Sequence, residues 1–319
     1  MHRVCIVIVY FGNWPAWFSA WLRSCSTNQV CRWLIFTDLS APPEVPTNVQ
    51  ISYITVNELE RRVSAMLQTQ FVLSRNYKLV DLKPAYGELF QEYLQGSDFW
   101  GYTDLDVLYG DLSRFFTDPI LNSHDVLSPS DRLLVGHLTL IRNSPDLCRL
   151  YRECPNYLQI LCQDSHEGFD EKGFHRLVMH LASVNKLRVF LRDMKQEDIL
   201  LRLNGRSGFL VIWRRGRLYD VAAFREICHF HFMESKWKQM FNVESVRALD
   251  DCMILTPNSL VTVKNIPGKL RLLGLAVATI ILAIPWYLRV TIRFPISRLR
   301  KSLSRMLRPL PYSQKPTDK

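Results

Sequence analysis

The sequence lacks the glycine-rich loops with which two large enzyme classes bind phosphate. None of its 13 glycines belongs to a G-x-G-x-x-G or a G-x-x-x-x-G-K-[ST] pattern. Neither a dinucleotide-dependent oxidoreductase nor a P-loop NTPase is therefore expected. Any binding of a diphosphate would have to rely on a metal ion instead.

The eight cysteines form no C-x-x-C pair and have no zinc-like spacing, so they are predicted to be reduced and mostly buried. The N-terminus also lacks the features of a signal peptide. One early arginine precedes a short apolar run, residues 4–11, with no small-residue cleavage site after it. This run is predicted to be a first strand, and the globular part is placed in a reducing cytosol.

The excess of positive charge is confined to one end of the chain. The formal net charge is +10, yet residues 264–319 hold 12 of the 40 Lys and Arg residues and one of the 30 acidic residues. Residues 1–263 are therefore nearly neutral, and their hydrophobic content is ample for a sizeable core. Aromatic side chains that could stack on bases are sparse in the basic end, so a nucleic acid is not expected as a partner.

An uncharged, largely apolar run, residues 272–288, lies in that basic end. As a helix it would be about 26 Å long, somewhat less than the roughly 30 Å hydrocarbon core of a bilayer. A marginal span or a membrane-embedded helix with its cations at the headgroups is predicted, and a buried core helix with a solvated basic tail is the alternative. The predicted organisation is a globular domain over 1–262, a membrane-associating segment over 263–292 and a basic tail over 293–319.

Strands and helices alternate along the first half. Residues 4–10, 32–38 and 49–56 are predicted as strands, and residues 14–24 and 57–67 as helices, with Asn57 as a cap. Apolar residues at helical spacing predict a further helix within 83–94, a break at Gly96 and then another strand. Later residues predict a strand over 133–142, a helix over 147–161 and two short strands within 205–220. The alternation favours a parallel, doubly wound α/β sheet in the first half and a mixed pattern after it.

Two carboxylates, Asp104 and Asp106, follow the strand that begins at Phe99. Residues two apart in an extended segment face the same side, so the pair could share one divalent cation. In open α/β sheets ligands bind beyond the carboxyl ends of the strands, which is where this pair is predicted to lie. Structural turn carboxylates are the alternative interpretation.

Residues 78–90, followed by 99–111, resemble bacterial glycosyltransferase-like proteins of polysaccharide biosynthesis, which have the GT-A fold. The resemblance covers roughly residues 4–240. The same two segments are also similar to those of the glycogenin and lipopolysaccharide galactosyltransferase group. It implies a Rossmann-like mixed sheet flanked by helices, here with a C-terminal hydrophobic and basic helical extension. It also implies a Mn²⁺ or Mg²⁺ cofactor.

The same resemblance implies the site residues on the donor side. A basic residue before the D-x-D strand contacts the donor, and Lys83 is the matching position. A late His completes the metal shell and a nearby Lys meets the diphosphate, which points to His231 or His229 and to Lys236, although the Gly and Pro of that family pattern are missing. The implied metal ligands are Asp104, Asp106 and His231, and the implied nucleotide-sugar contacts are Tyr10, Phe11, Gly12, Asp38, Asp81, Lys83, Tyr86, Asp104 and Lys236.

Within that set, the turn after the first strand and the acid at the end of the second would hold the nucleoside. Tyr10 or Phe11 would pack on the base. For the turn at residues 10–12 and for Asp38, the alternative is an ordinary role at a strand end. Segment 136–143 resembles the lining of an acceptor pocket in related proteins, and His137 within it is a candidate catalytic residue. An inverting enzyme would need a general base, for which Asp170 or Glu171 is available; a retaining enzyme would not.

The expected function is transfer of a sugar from a nucleotide-sugar donor to a glycan or lipid-linked acceptor at the cytoplasmic face of a membrane, in cell-surface polysaccharide biosynthesis. A catalytically silent, membrane-docked subunit with the same fold is the alternative.

Overall fold

The computed structural model of the chain describes residues 2–194, 210–221, 225–232, 241–244, 246–247, 250–256 and 259–262. Lys236 and the predicted membrane segment and basic tail lie outside these ranges. Within the described part of the chain, none of the helices has both the length and the apolar character needed to cross a membrane. All eight cysteines are described and free, and seven are buried, as predicted.

A seven-stranded mixed sheet is the centre of the fold, in the order β3-β2-β1-β4-β7-β6-β8. Its first four strands in space run parallel, and β7 is antiparallel to β4. This confirms an α/β fold with a mixed sheet. The strands are β1 (Val4–Val9), β2 (Cys31–Thr37), β3 (Val49–Tyr53), β4 (Phe99–Thr103), β6 (Val126–Ser128), β7 (Leu138–Arg142) and β8 (Val189–Leu191), and β5 (Val107–Tyr109) lies outside this sheet.

Helices cover both faces of this sheet. They are α1 (Phe18–Ser26), α2 (Val56–Leu67), α3 (Leu79–Leu82), α4 (Tyr86–Leu89), α5 (Asp118–Ser123), α6 (Pro145–Cys148), α7 (Tyr157–Cys162) and α8 (His175–Ser183). Successive side chains of a strand point to opposite faces. Thus Cys5 and Val7 of β1 join a core with α2, whereas Val4 and Ile6 join a core with α1. Burial on both faces explains the nearly unbroken apolar run of β1.

A second sheet has the order β11-β10-β9-β14-β15-β13. Its strands are β9 (Val211–Arg214), β10 (Arg217–Asp220), β11 (Arg225–Ile227), β13 (Asn242–Val243), β14 (Cys252–Thr256) and β15 (Ser259–Thr262). The remaining strand, β12 (His229–His231), pairs antiparallel with β5. Leu108 of β5 and Phe230 of β12 share a third core with this sheet, which joins the second half of the domain to the strand that follows the D-x-D pair.

Three local predictions need correction. The helix expected within 83–94 is a series of short turns, Lys83–Ala85, α4 and Gln91–Tyr93, because the backbone leaves the helical region at Phe90. The helix expected over 147–161 is likewise divided between α6, a 3₁₀ turn at Leu150–Glu153 and α7. Thr55, and not Asn57, caps α2, since its side chain accepts the N–H of Glu58.

Candidate metal and active site

The D-x-D pair lies in the short connection between β4 and β5. Strand β4 is buried between β1 and β7, so the carboxylates emerge at the carboxyl end of a central strand. Two indoles of the α1 region hold this connection from behind. Trp17 Nε1 donates to the carbonyl oxygen of Leu105 at 2.8 Å, and Trp21 Nε1 donates to that of Asp104 at 3.3 Å. The carboxylates therefore stand on a fixed backbone.

His231 reaches this pair through sheet pairing. On β12 it lies opposite Val107 of β5, and the next backbone N–H, of Phe232, donates to the carbonyl oxygen of Asp106 at 3.1 Å. The ring nitrogen Nε2 of His231 is 3.1 Å from Asp106 Oδ2. One ligand atom from each of Asp104, Asp106 and His231 lies within 4.8 Å of the other two. The structure therefore brings together the three residues predicted as metal ligands, in a group that could hold a metal ion.

The spacing and chemistry of this group fit a divalent cation. Two ligands about 2.1 Å from one ion and at right angles to each other are about 3 Å apart, close to the distance between His231 and Asp106. Two carboxylates with one imidazole suit a hard or borderline ion such as Mn²⁺. One side of the group remains open to solvent, because the side chain of Asp104 is 33% exposed.

Lys83 is the buried cation of the site. Its Nζ donates to Asp104 Oδ1 at 2.6 Å and to the carbonyl oxygen of Gly136 at 2.9 Å. Burial lowers the pKa of this amine, but the charges of Asp104 and Asp170 outweigh that effect and leave the pKa raised. Lys83 therefore remains charged at neutral pH. It fixes Asp104 and supplies positive charge beside the candidate metal ligands.

Asp170 and Glu171 approach the same place from a π-helical turn, Asp170–Phe174, a local geometry that is often found at functional sites. The backbone N–H of Glu171 donates to Asp170 Oδ1 at 2.9 Å, while Glu171 Oε1 accepts the N–H of Gly136 at 3.0 Å. Asp170 is 1% exposed, and among the described residues its Oδ2 has no hydrogen-bond partner. Burial raises the pKa of Asp170 to about 7, against the lowering effect of Lys83.

His137 packs behind His231. The two rings are 4.2 Å apart at their centroids, and His137 Nε2 is 3.1 Å from His229 Nε2. Burial, with a smaller effect of His231, lowers the pKa of His229 to about 3. Burial and the neighbouring His231, His229 and Lys83 hold the pKa of His137 well below 6.5. Both are neutral at physiological pH, and His229 contacts His137, which leaves His231 as the histidine beside the carboxylates.

The predicted nucleoside-binding residues differ in accessibility. Tyr10 is half-buried and its hydroxyl donates to the carbonyl oxygen of Asn13 at 2.7 Å, while burial and the charge of Asp106 raise its pKa. Phe11 is 5% exposed and belongs to the core, so its ring is not available to stack on a base. Gly12 is exposed with a φ of 122°, a backbone conformation that favours glycine, and Asp38 is exposed just after β2.

Two other predicted donor contacts lie below the surface. Tyr86 is 1% exposed and its hydroxyl donates to the carbonyl oxygen of Leu79 at 3.2 Å. Asp81 is fully buried, and both of its carboxylate oxygens accept hydrogen bonds from the protein. The structure therefore places neither side chain in direct reach of a surface ligand.

Sequence reasoning missed the aromatic stack beside the site. Tyr10 stacks on Trp14, and Trp14 stacks on Phe18 at a centroid distance of 4.0 Å. The signal that could have found it is the spacing of Trp14, Phe18 and Trp21, which are four and then three residues apart, as on one face of a helix, although α1 itself begins at Phe18.

This chain is similar to solved structures of glycosyltransferases and matches one protein-family model. No curated protein sequence matches this chain. The crystal structure of mouse xyloside xylosyltransferase 1 in its apo form aligns over 72% of this chain and 96% of its own, at 11% identity and a TM-score of 0.38. A glycosyltransferase involved in the glycosylation of the major capsid of PBCV-1 aligns over 73% and 95%, at 8% identity and the same TM-score.

The family model that matches is described as a family of unknown function, DUF6625, and it covers residues 6–264. Because this match spans most of the sequence, the chain belongs to the DUF6625 family.

Proposed function

We propose that this protein is a metal-dependent glycosyltransferase of the GT-A type, which transfers a sugar from a nucleotide-sugar donor to a glycan or lipid-linked acceptor in cell-surface polysaccharide biosynthesis. The observation that carries this proposal is the convergence of Asp104, Asp106 and His231 at the carboxyl end of β4. Side chains from distant parts of the sequence meet there in a spacing that suits one divalent ion.

The residues around that group have roles that fit the proposed reaction. A bound Mn²⁺ or Mg²⁺ would neutralise the diphosphate as it leaves the sugar. Lys83, fixed between Asp104 and Gly136, adds a second positive charge next to that leaving group. Lys236, the predicted partner of Lys83 on the diphosphate, belongs to the proposal on the family resemblance alone.

Asp170 is the residue we assign to proton transfer. A general base works best when its pKa lies near the operating pH, and the pKa of Asp170 is raised to about 7. Its Oδ2, which has no hydrogen-bond partner in the described part of the chain, lies next to Gly136, since a Cβ built on that glycine would be 2.4 Å from this oxygen. Asp170 is 1% exposed, so an acceptor hydroxyl could reach this oxygen only when the surrounding structure opens. The hydroxyl would then pass its proton to Asp170 as the new glycosidic bond forms and the bond to the diphosphate breaks.

The test is a calorimetric titration of UDP-, GDP- and CDP-sugars into the full-length protein, with and without Mn²⁺. We expect one nucleotide class to bind, and to bind only in the presence of the ion, because the donor diphosphate would be held through the metal. Binding of no donor in any condition would contradict the proposal. Binding of equal strength without the ion would contradict the role of the metal group.

The proposal includes association of the protein with a membrane, which the sequence supports. The apolar run 272–288 adjoins most of the positive charge of residues 264–319, a combination that favours an anionic membrane surface at the cytoplasmic face. We expect sodium carbonate extraction to leave the full-length protein in the membrane fraction and to release a variant truncated after residue 262. Complete extraction of the full-length protein would contradict membrane association.

A further inference from the structure

A buried ion pair, Lys78 and Asp81, lies beside the site without being part of it. Lys78 Nζ is 2.9 Å from Asp81 Oδ2, and the two side chains are 1% and 0% exposed. Burying two charges is expensive unless their remaining hydrogen-bonding capacity is used. Here it is used on a single segment of the chain, residues 160–169.

Both residues of the pair are hydrogen-bonded to this segment. Lys78 Nζ also donates to the carbonyl oxygens of Ile160 and Ser165, the latter at 2.9 Å. Asp81 Oδ2 accepts the backbone N–H of Glu167 at 3.0 Å, and Asp81 Oδ1 accepts that of Phe169 at 2.8 Å. The carboxylate thus holds a stretch of loop backbone in one position.

On each side of the contact between Asp81 and Phe169, a residue of the site follows closely in the sequence. Lys83 follows Asp81 by two residues, within the continuous turns of α3 and Lys83–Ala85. Asp170 follows Phe169 immediately. The position of Asp81 relative to Phe169 therefore sets the position of Lys83 relative to Asp170.

Asp170 and Lys83 pack tightly against the backbone of Gly136. A Cβ on Gly136 would lie 2.4 Å from Asp170 Oδ2 and 3.3 Å from Lys83 Nζ. The carboxylate and the amine therefore pack against a backbone that has no space for a single methyl group. A shift of the 165–169 segment would move Asp170 off this surface.

We propose that Lys78 and Asp81 are positioning residues, which fix the segment before Asp170 so that its carboxylate faces Lys83 and Gly136 across the site. This inference rests on the proposed function, since it gives a purpose to the position of Asp170. It also gives Asp81 a role other than the donor contact predicted from the family resemblance.

The experiment compares four full-length proteins: wild type, Asp81→Asn, Lys78→Gln and Asp125→Asn. Asp125 provides the matched control, since it also accepts hydrogen bonds from two cations, Arg142 and Arg188. Its partner Arg142 lies opposite Phe99 in the pairing of β7 with β4, at the end of β4 away from Asp104. The Asp125 variant should therefore not disturb the site. Carboxyl labelling with a carbodiimide and glycine ethyl ester, read by mass spectrometry, reports the accessibility of Asp170 without any substrate.

We expect labelling of Asp170 to rise about tenfold in Asp81→Asn and in Lys78→Gln, because the local structure that excludes the reagent opens more often. Asp125→Asn should label Asp170 as wild type does. Mn²⁺ affinity should stay at the wild-type value in all four proteins, because the metal group is untouched. With a donor identified, kcat should fall roughly tenfold to a hundredfold in the two positioning variants while KM for the donor is unchanged.

Unchanged labelling of Asp170 in both positioning variants would overturn the proposal, and so would an equal rise in Asp125→Asn, which would show general loosening. If Asp81→Asn does not fold, Lys78→Gln decides alone, since it leaves the backbone bonds of Asp81 in place. Failure of the proposed function is a separate result, because the labelling does not depend on transfer activity.

Discussion

Replacing Asp106 by asparagine is expected to weaken Mn²⁺ binding by at least about a hundredfold and to abolish metal-dependent donor binding. Of the two D-x-D carboxylates, Asp106 is the buried one, and its Oδ2 is 3.1 Å from His231 Nε2. Asp104 already accepts a hydrogen bond from Lys83 at 2.6 Å. The Asp106→Asn substitution would remove a negative charge and a ligand oxygen next to His231, while Asp104 would keep its hydrogen bond from Lys83.

The measurement is calorimetric titration of Mn²⁺ into the metal-free protein, together with the melting temperature with and without the ion. A ligand that binds only the folded state raises that temperature, so the rise seen for wild type should disappear in Asp106→Asn. Asp111→Asn is the control, because this nearby carboxylate bonds Ser113 and caps the turn Leu112–Arg114. Wild-type Mn²⁺ affinity in a folded Asp106→Asn protein would contradict the metal site.

The parts of the site that could be predicted were those fixed by local spacing. Asp104 and Asp106 follow a buried strand, so the sequence placed them at its carboxyl end, although they lie in a bend between β4 and β5 and not in an extended segment. The alternation of strands and helices likewise predicted the α/β class. His231 is 125 residues away from Asp106 in sequence, and its place depends on the pairing of β12 with β5. Only the family resemblance pointed to it.

What could not be predicted depends on packing between distant segments. Phe11 lies two residues beyond the end of β1, and its ring belongs to the core that also contains Leu79 and Leu82, which a turn pattern does not reveal. Asp81 and Tyr86 share a motif with Lys83, yet only Lys83 projects to the D-x-D pair. Helical turns of mixed type around Pro84 and Gly87 rotate these neighbours differently from a regular helix, so spacing alone could not separate them.

The buried carboxyl of Asp170 should make the protein less stable as the pH rises. Its pKa is about 7 in the folded state, compared with an ordinary value of 3.8. Between these two values the folded state holds a proton that the unfolded state has released, so the free energy of unfolding falls with rising pH. This loss of stability is absent below about pH 4 and grows through neutrality. It levels off above the folded-state pKa, where the free energy of unfolding is lower by about 4 kcal/mol.

Asp170→Asn should remove this dependence, because the amide is neutral throughout. Urea unfolding of the metal-free proteins at pH 5, 6, 7 and 8 measures it directly. Relative to the variant, wild type should lose about 3 kcal/mol between pH 5 and pH 8. Asp125→Asn is again the control, since hydrogen bonds from Arg188 and Arg142 outweigh the effect of burial and lower the pKa of Asp125 to about 2, which leaves it ionised in both states over this range.

A constant difference between wild type and Asp170→Asn across these pH values would show that Asp170 is already ionised in the folded protein. In that case Lys83, whose charge opposes the effect of burial, would dominate the environment of the carboxylate. The base would then be too weak to accept a proton efficiently near neutral pH. The expected slope therefore tests the electrostatic balance on which the proton-transfer role of Asp170 depends, independently of any donor or acceptor.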